Sequence, residues 1–375
     1  GYGNITAPVV FCGYGISEPE TGYDDYKNID IEGKIVMVFR YNPKWKPESG
    51  RWPQANPRPK ARIAAEKGAV GIIFVSAPNN NPARTIIGSV AHGDGEQDID
   101  FPQVHIDNPQ SDDFFEGSNT TLSNVQQKID SLKTPYSLSL KTLAHIVIET
   151  QYTKSKQTMN IVGIQYGSHP KLKDEFIVVG AHLDHVGGQA GEIYFPGAND
   201  NASGIAVMLE IARIYRKYRL KPKRSIIFVA FSAEEPGLYG SEYFVEQSPV
   251  PVNDIFAMIN IDCVGQGDSI KVGGGKTAPE LWNIAQYVDI RHTHLMSEST
   301  WGGGGADATA FYNRGIPTLY YNTTGGYKYL HMLSDKPETF NPVLFEKLTK
   351  NVLLTVYNIA NLKPEQEPKI ISKPD

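Results

Sequence analysis

The sequence predicts an α/β protein: a mixed central β-sheet flanked by helices in residues 139–365, a smaller β-rich domain ahead of it in residues 1–138, and a polar tail over 366–375. Three observations carry this. Ile226-Ile227-Phe228-Val229-Ala230 and the runs entering His182 and Asp262 have the length and β-branched content of strands buried on both faces. Helical periodicities alternate with those runs from about residue 139, which implies a sheet covered on both sides. The first 138 residues instead show short apolar runs bounded by glycine, the pattern of a β-rich module.

A chain of 375 residues fits two domains of the usual size of roughly 100–200 residues. The net charge of -5, with no extended Lys/Arg cluster, offers nothing to nucleic acid or to an anionic membrane. No stretch approaches the roughly 20 apolar residues of a membrane helix. The start GYGNITAPVV lacks a signal sequence, which is compatible with a leader removed before it. Cys12 and Cys263 are expected as two buried free thiols and leave the compartment open.

In the first domain, residues 9–16 and 33–40 read as strands, with Asp24-Asp25-Tyr26 in the loop between them. A short helix over 60–67 ends at Gly68, and residues 69–75 form a further buried strand. The long loop 42–59 carries Trp45 and Trp52, expected to anchor it to its own domain. Val125, Ile129 and Leu132 mark an amphipathic helix, and Leu132-Lys133-Thr134-Pro135 reads as the linker. His92 and His105 are isolated, and no ligand cluster occurs here. The phrases VVFCGYGI, GYDDYKNIDIEGKIVMV, KARIAAEKGAVGIIFV and FPQVHI resemble the protease-associated (PA) domain, which implies a module bordering the substrate entrance of the second domain.

In the second domain, residues 144–149 and 159–164 read as early strands, paired antiparallel at one edge. A helix over 203–218 shows Ile205, Met208, Leu209, Ala212 and Tyr215 on one face. Further helices are expected over 240–247, 279–287 and 342–362, the last burying Phe345, Leu348, Val352 and Val356. The proline-rich tail is expected to be extended or disordered.

The chemistry concentrates where strands end. Glu234 and Glu235 follow the apolar run 226–230, at the edge where open α/β sheets place their ligands. Neighbouring residues on an extended backbone point opposite ways, so one carboxylate can hold a ligand while the other faces the space beside it. Four more sites complement them: His182-Leu183-Asp184-His185, Asp200 ahead of a helix, Asp262 after a strand, and His331 in a late loop. Two histidines, three carboxylates and a spare Glu are the inventory for two divalent ions, each taking one His and one carboxylate and sharing a third. Without cations such a set of like charges would be costly.

Other signals are weaker. Gly273-Gly274-Gly275-Lys276-Thr277 ends like a phosphate loop, but Ile270 stands where the first glycine is required. The run 301–305 shapes a pocket rather than cradling phosphate, and His292 and His294 are expected on a solvated strand. Neither a His-Glu-x-x-His helix nor a Gly-x-Ser-x-Gly elbow is present.

The phrases GAHLDHVG, PGANDNASG, FSAEEPGLYGSEYF, NIDCVG and ADATAFYNRGIPTLYY, with His331-x-x-x-Asp335, resemble the co-catalytic zinc aminopeptidases of the aminopeptidase Y and S type, peptidase family 28 of the metallopeptidases. The resemblance implies the zinc-exopeptidase fold and two Zn2+ per chain. It places His182 and Asp262 on one zinc, Glu235 and His331 on the other, Asp200 between them, and Glu234 as general base. Asp184 would accept the free ring N–H of His182, and His185 is expected as a pocket-wall or capping residue.

The activity implied is removal of N-terminal residues from a peptide substrate. A carboxypeptidase, a glutaminyl cyclase or a non-catalytic receptor on the same fold are the alternatives. Relatives often carry Tyr before the last His; here Leu330 holds that place, with Tyr327 or Tyr329 as substitutes. Trp301, Asp307, Tyr327 and Tyr329 are the candidate substrate pocket. In relatives a peptidase segment precedes the PA domain, whereas this sequence begins almost at that domain. Location is expected to be bacterial periplasmic or secreted, since a glycan on the Asn201-Ala202-Ser203 sequon would block the site.

Overall fold

In the computed structural model, residues 1–363 are described apart from 19, 21, 48–49, 53–56, 81–98, 150, 152, 154 and 190–191; the expected tail lies outside the described residues. By their contacts the described residues divide into two units, one up to Lys156 and one from Gln157.

The first unit holds a five-stranded sheet built from β1 (Gly3–Cys12), β2 (Ile35–Phe39), β3 (Gly71–Val75), β4 (Gln103–Ile106) and β5 (Ser137–Ile148), in the order β4-β3-β2-β1-β5. The first four run parallel, and β5 pairs antiparallel with β1 from Gly3↔Ile148 to Cys12↔Ser137. This corrects two expectations. The strand expected at 144–149 belongs to this sheet rather than to an edge of the second, and the boundary expected at 138/139 falls inside it. The physical reason is the pairing: β1 offers β5 a nine-pair ladder, a contact that sequence separation hides.

Helices α1 (Pro57–Glu66) and α2 (Leu122–Leu132) bury their apolar stripes in two cores formed by alternate strand residues. Trp45 donates from Nε1 to Asp130 Oδ1 at 3.1 Å and Trp52 to the Trp45 carbonyl at 2.7 Å, so both indoles tie their loop to its own unit.

The second unit holds a six-stranded sheet of β6 (Ile161–Gln165), β7 (Phe176–His182), β8 (Ser225–Phe231), β9 (Ile255–Ile261), β10 (Ile270–Gly273) and β11 (Thr318–Thr323), ordered β10-β11-β9-β7-β8-β6. The four central strands are parallel and both edges antiparallel. Residues of β7, β8 and β9 alternate between two cores. Ile177, Val179, Ile226 and Ile259 pack with α3 (Ser203–Lys217), α5 (Pro279–Val288) and α7 (Pro342–Ala360), while Val178, Ile227, Val229 and Met258 pack with α4 (Tyr239–Glu246) and α6 (Ala308–Tyr312). Each such side chain contributes roughly 1.5–3 kcal/mol, and α7 starts cleanly because Asn341 caps Leu344 N at 3.2 Å with Pro342 beside it.

The strand order fixes where a site can form. The chain passes from β7 to β8 on one side and then back to β9 on the other, which opens a crevice at the carboxyl end of β7. His292 and His294 correct another expectation: they are exposed around the helical turn Asp289–Thr293, not on a strand. Both cysteines are buried and free, and among the described residues no helix is long and apolar enough to cross a membrane.

Candidate metal centre

His182 is the last residue of β7, and its neighbour in register on β8 is Phe231, so the loop that follows carries Glu234 and Glu235 beside it. Asp262 directly follows β9, and its N–H is held by the Tyr321 carbonyl at 3.0 Å. Three non-glycine residues here adopt left-handed backbone: Ala233 before Glu234, Cys263 after Asp262, and His331 itself. Such conformations cost roughly 1–3 kcal/mol each and persist where the surroundings over-determine them.

Asp200 sits in the loop ahead of α3, and that loop is fixed by amides and acids. Asp335 accepts from Asn199 N at 2.9 Å and Asp200 N at 3.0 Å. Asn199 donates to the Gly326 carbonyl at 2.7 Å and accepts from Gly265 N at 2.6 Å, and Asn201 donates to the Ile261 carbonyl at 2.9 Å. Asn201 is 2% exposed, so the sequon has no room for a glycan.

These anchors turn the two oxygens of Asp200 in different directions. Oδ1 lies 3.3 Å from His182 Nε2, and Oδ2 lies 3.3 Å from His331 Nε2. Two groups of potential ligands result: His182, Asp200 and Asp262, and around the other oxygen Asp200, Glu235, His185 and His331.

The distances suit divalent ions. Ligands about 2.0–2.1 Å from a tetrahedral zinc lie about 3.3 Å from one another. His182 Nε2 is 3.5 Å from Asp262 Oδ1, and His331 Nε2 is 3.0 Å from Glu235 Oε2. Asp262 Oδ1 is buried without a hydrogen-bond partner, an orphan that a cation would satisfy. The residues present therefore fit two zinc ions sharing Asp200.

Within these two groups burial and opposite charge pull against each other. Burial opposes charge on His331, yet Asp200 and Glu235 push it up to about 10, and His182 is likewise held high by Asp200 and Asp262. Burial also raises Asp200 and Glu235, but the imidazoles hold both below the ordinary carboxylate range. Among the described residues no imidazole lies within ion-pair distance of Glu234. Burial drives it up to about 8; His182 pulls it down, and Asp307, Asp262 and Glu235 add to the rise.

Two expected roles are corrected. His182 Nδ1 is 3.1 Å from the main-chain carbonyl of Asp184 and 3.8 Å from its carboxylate, so the carbonyl takes the ring N–H and fixes the tautomer. The Asp184 carboxylate accepts instead from Glu234 N at 3.1 Å and Glu235 N at 3.2 Å, which seats both glutamates. Asp307 does not line a pocket: it is 0% exposed, at the start of α6. The following Ala308 and Phe311 draw it into a core.

Trp301 is half-buried with its ring 6.1 Å from Tyr320, and Tyr329 is half-buried. Tyr327 is 44% exposed, and its hydroxyl meets that of Tyr320 at 2.6 Å. Tyr320 in turn donates to Asp262 Oδ2 at 2.9 Å. Sequence reasoning missed Tyr320, Asn199 and Asn201 as parts of this frame; His331-x-x-x-Asp335 was the one signal for Asp335.

The sequence pattern of Peptidase family M28 matches residues 160–356, and that of the PA domain matches residues 5–114. The chain is 28% identical over 238 residues to Aminopeptidase YwaD of Bacillus subtilis, covering 58% of this chain and 48% of that protein. It is 39% identical over 108 residues to a probable zinc metalloprotease of Pyrenophora tritici-repentis, covering 28% of this chain and 24% of that protein. A solved structure of a peptidase M28 precursor from Shewanella amazonensis shares the fold, with a TM-score of 0.63 at 20% identity over 99% of this chain and 76% of that one. The matched stretches thus span from about a quarter to about half of these curated relatives.

Proposed function

Since the chain belongs to Peptidase family M28, we propose that it is a zinc exopeptidase using two ions, an aminopeptidase that removes N-terminal residues from peptides. The observation that supports this reading best is Asp200, whose two oxygens face two different imidazoles. When bound, two zinc ions would supply a water ionised near neutral pH and a Lewis acid for the scissile carbonyl.

The chain's own residues do the rest. Asp200 is the shared ligand, with His182 and Asp262 on one side and Glu235 and His331 on the other. Glu234, left out of both groups, accepts the proton of the attacking water and returns it to the leaving amine. Burial has already raised its affinity for a proton, and Asp184 holds its backbone in place. Tyr320 donates its one hydroxyl proton to Asp262 and so takes that of Tyr327, which leaves Tyr329 to serve the tetrahedral intermediate in the place of the tyrosine absent before His331. The enzyme is proposed to work in the bacterial periplasm or outside the cell, which fractionation of the source organism would check.

Glu234→Gln tests the division of labour. Metal content should stay at the wild-type level while kcat on a free-amino peptide falls by about 10²–10⁴-fold, the usual contribution of a positioned acid/base. Full activity in that variant would overturn the mechanism. Mass analysis of products should show shortening from the amino end, and none when that end is acetylated.

A further inference from the structure

Each terminal carboxylate of the two clusters has one oxygen turned to an imidazole ligand and the other held by a hydrogen-bond donor. In the first cluster Asp262 turns Oδ1 to His182, while Tyr320 donates to Oδ2 at 2.9 Å. In the second, Glu235 turns Oε2 to His331 at 3.0 Å, while His185 Nδ1 lies 2.9 Å from Oε1. A carboxylate only accepts, so the proton of that second contact sits on His185 Nδ1. An Nδ1 carrying a proton has no lone pair for a cation. It is also 3.6 Å from Asp200 Oδ2, against 3.3 Å for His331 Nε2.

The ring is built into this place. Gly197 has φ +62° and lies so close that a Cβ there would come within 2.6 Å of His185 Cγ. His185 is nearly buried, with 11% side-chain exposure, and Nε2 has no hydrogen-bond partner, so Glu235 is the contact that orients the imidazole and is oriented by it.

We infer that His185 is a positioning residue that clamps Glu235 Oε1, so that Oε2 alone is offered to the second cation together with Asp200 and His331. The inference rests on the two-ion reading above. Residues that orient a metal ligand from outside typically set metal affinity by about 10–100-fold, so His185 governs occupancy of one site and leaves the other unchanged.

The test titrates the metal-free full chain with Zn2+ in competition with a chromophoric chelator, for wild type, His185→Ala and His185→Asn. The asparagine amide can donate from the position of Nδ1 but is a poor zinc ligand. Wild type should bind two ions. In His185→Ala one step should weaken by about 10–100-fold while the other keeps its affinity, and His185→Asn should restore most of the loss. Unchanged binding in His185→Ala would overturn the inference, as would equal loss in both variants, which marks His185 as a ligand. Should His185→Ala lose both steps through misfolding, His185→Asn decides: two steps near wild type uphold the clamp, and loss of one overturns it. A wild type that binds fewer than two ions refutes the two-ion reading itself, and is thereby distinguished from failure of the clamp alone.

Discussion

Asp25 in the first unit and Asp200 in the second are carboxylates taken almost entirely out of water, at 2% and 4% exposure, yet their surroundings differ in kind. Asp25 Oδ2 accepts two main-chain N–H groups, from Tyr14 at 3.0 Å and Ile16 at 3.1 Å, and so closes the turn that follows β1. Its cationic neighbour Lys60 is also spoken for by main chain, donating to the carbonyls of Phe39 at 2.8 Å and Tyr41 at 3.2 Å. Burial pushes Asp25 up to about 7, while Ile16 N, Lys60 and Tyr14 N pull it down. Asp200 has the opposite setting: its oxygens diverge to two imidazoles, and further acids stand behind each. A buried acid that serves main-chain amides belongs to the fold; one whose oxygens converge with other acids and imidazoles is the one proposed to hold cations.

The strongest way to break this contrast is to truncate the proposed shared ligand. Asp200→Ala should abolish tight binding of both ions and lower kcat/KM by more than the roughly 10²–10⁴-fold expected of the base alone. Metal content and activity near wild type would show that Asp200 resembles Asp25 after all. A smaller effect is expected of Asp184→Ala, which frees the backbone of Glu234 and Glu235. Activity should drop about 10–100-fold while the His182 tautomer, fixed by a main-chain carbonyl, is retained. An NMR spectrum of the imidazole nitrogens in which His182 changes tautomer would contradict that assignment.

The smallest effect on activity, none, is expected of Asp25→Asn, where the change appears in stability. The folded-state value of about 7 lies above the ordinary 3.8. The stabilisation from protonated Asp25 is therefore whole below about pH 4 and is lost as the pH rises through 7. Relative to wild type, Asp25→Asn should melt higher at pH 8 than at pH 5; an equal offset at both would refute the assigned titration.

Much of this contrast was legible in the sequence because it rides on local pattern. The parallel strands announce themselves as unbroken apolar runs, and the proposed ligands sit just past their ends or in the loops between, at the carboxyl ends of the strands. The strand Ser137–Ile148 was misplaced because its partner, β1, lies more than a hundred residues away in sequence; its alternating burial shows a half-buried strand without saying whose. The site was read to the level of which residue types converge, and not to the level of which atom meets which. Spacing places Asp184 near His182 but does not say that its carbonyl rather than its carboxylate takes the ring proton. His185, three residues from a ligand, could be cap, wall or ligand in sequence, and its contact with Glu235 exists only once β7 and β8 are side by side.

The most direct measurement is anomalous diffraction at the zinc edge from crystals of the zinc-loaded protein. Two peaks are expected, one against His182 and Asp262 and one against Glu235 and His331, each in contact with a different oxygen of Asp200. A single peak, or two peaks that do not share Asp200, would contradict the two-ion centre.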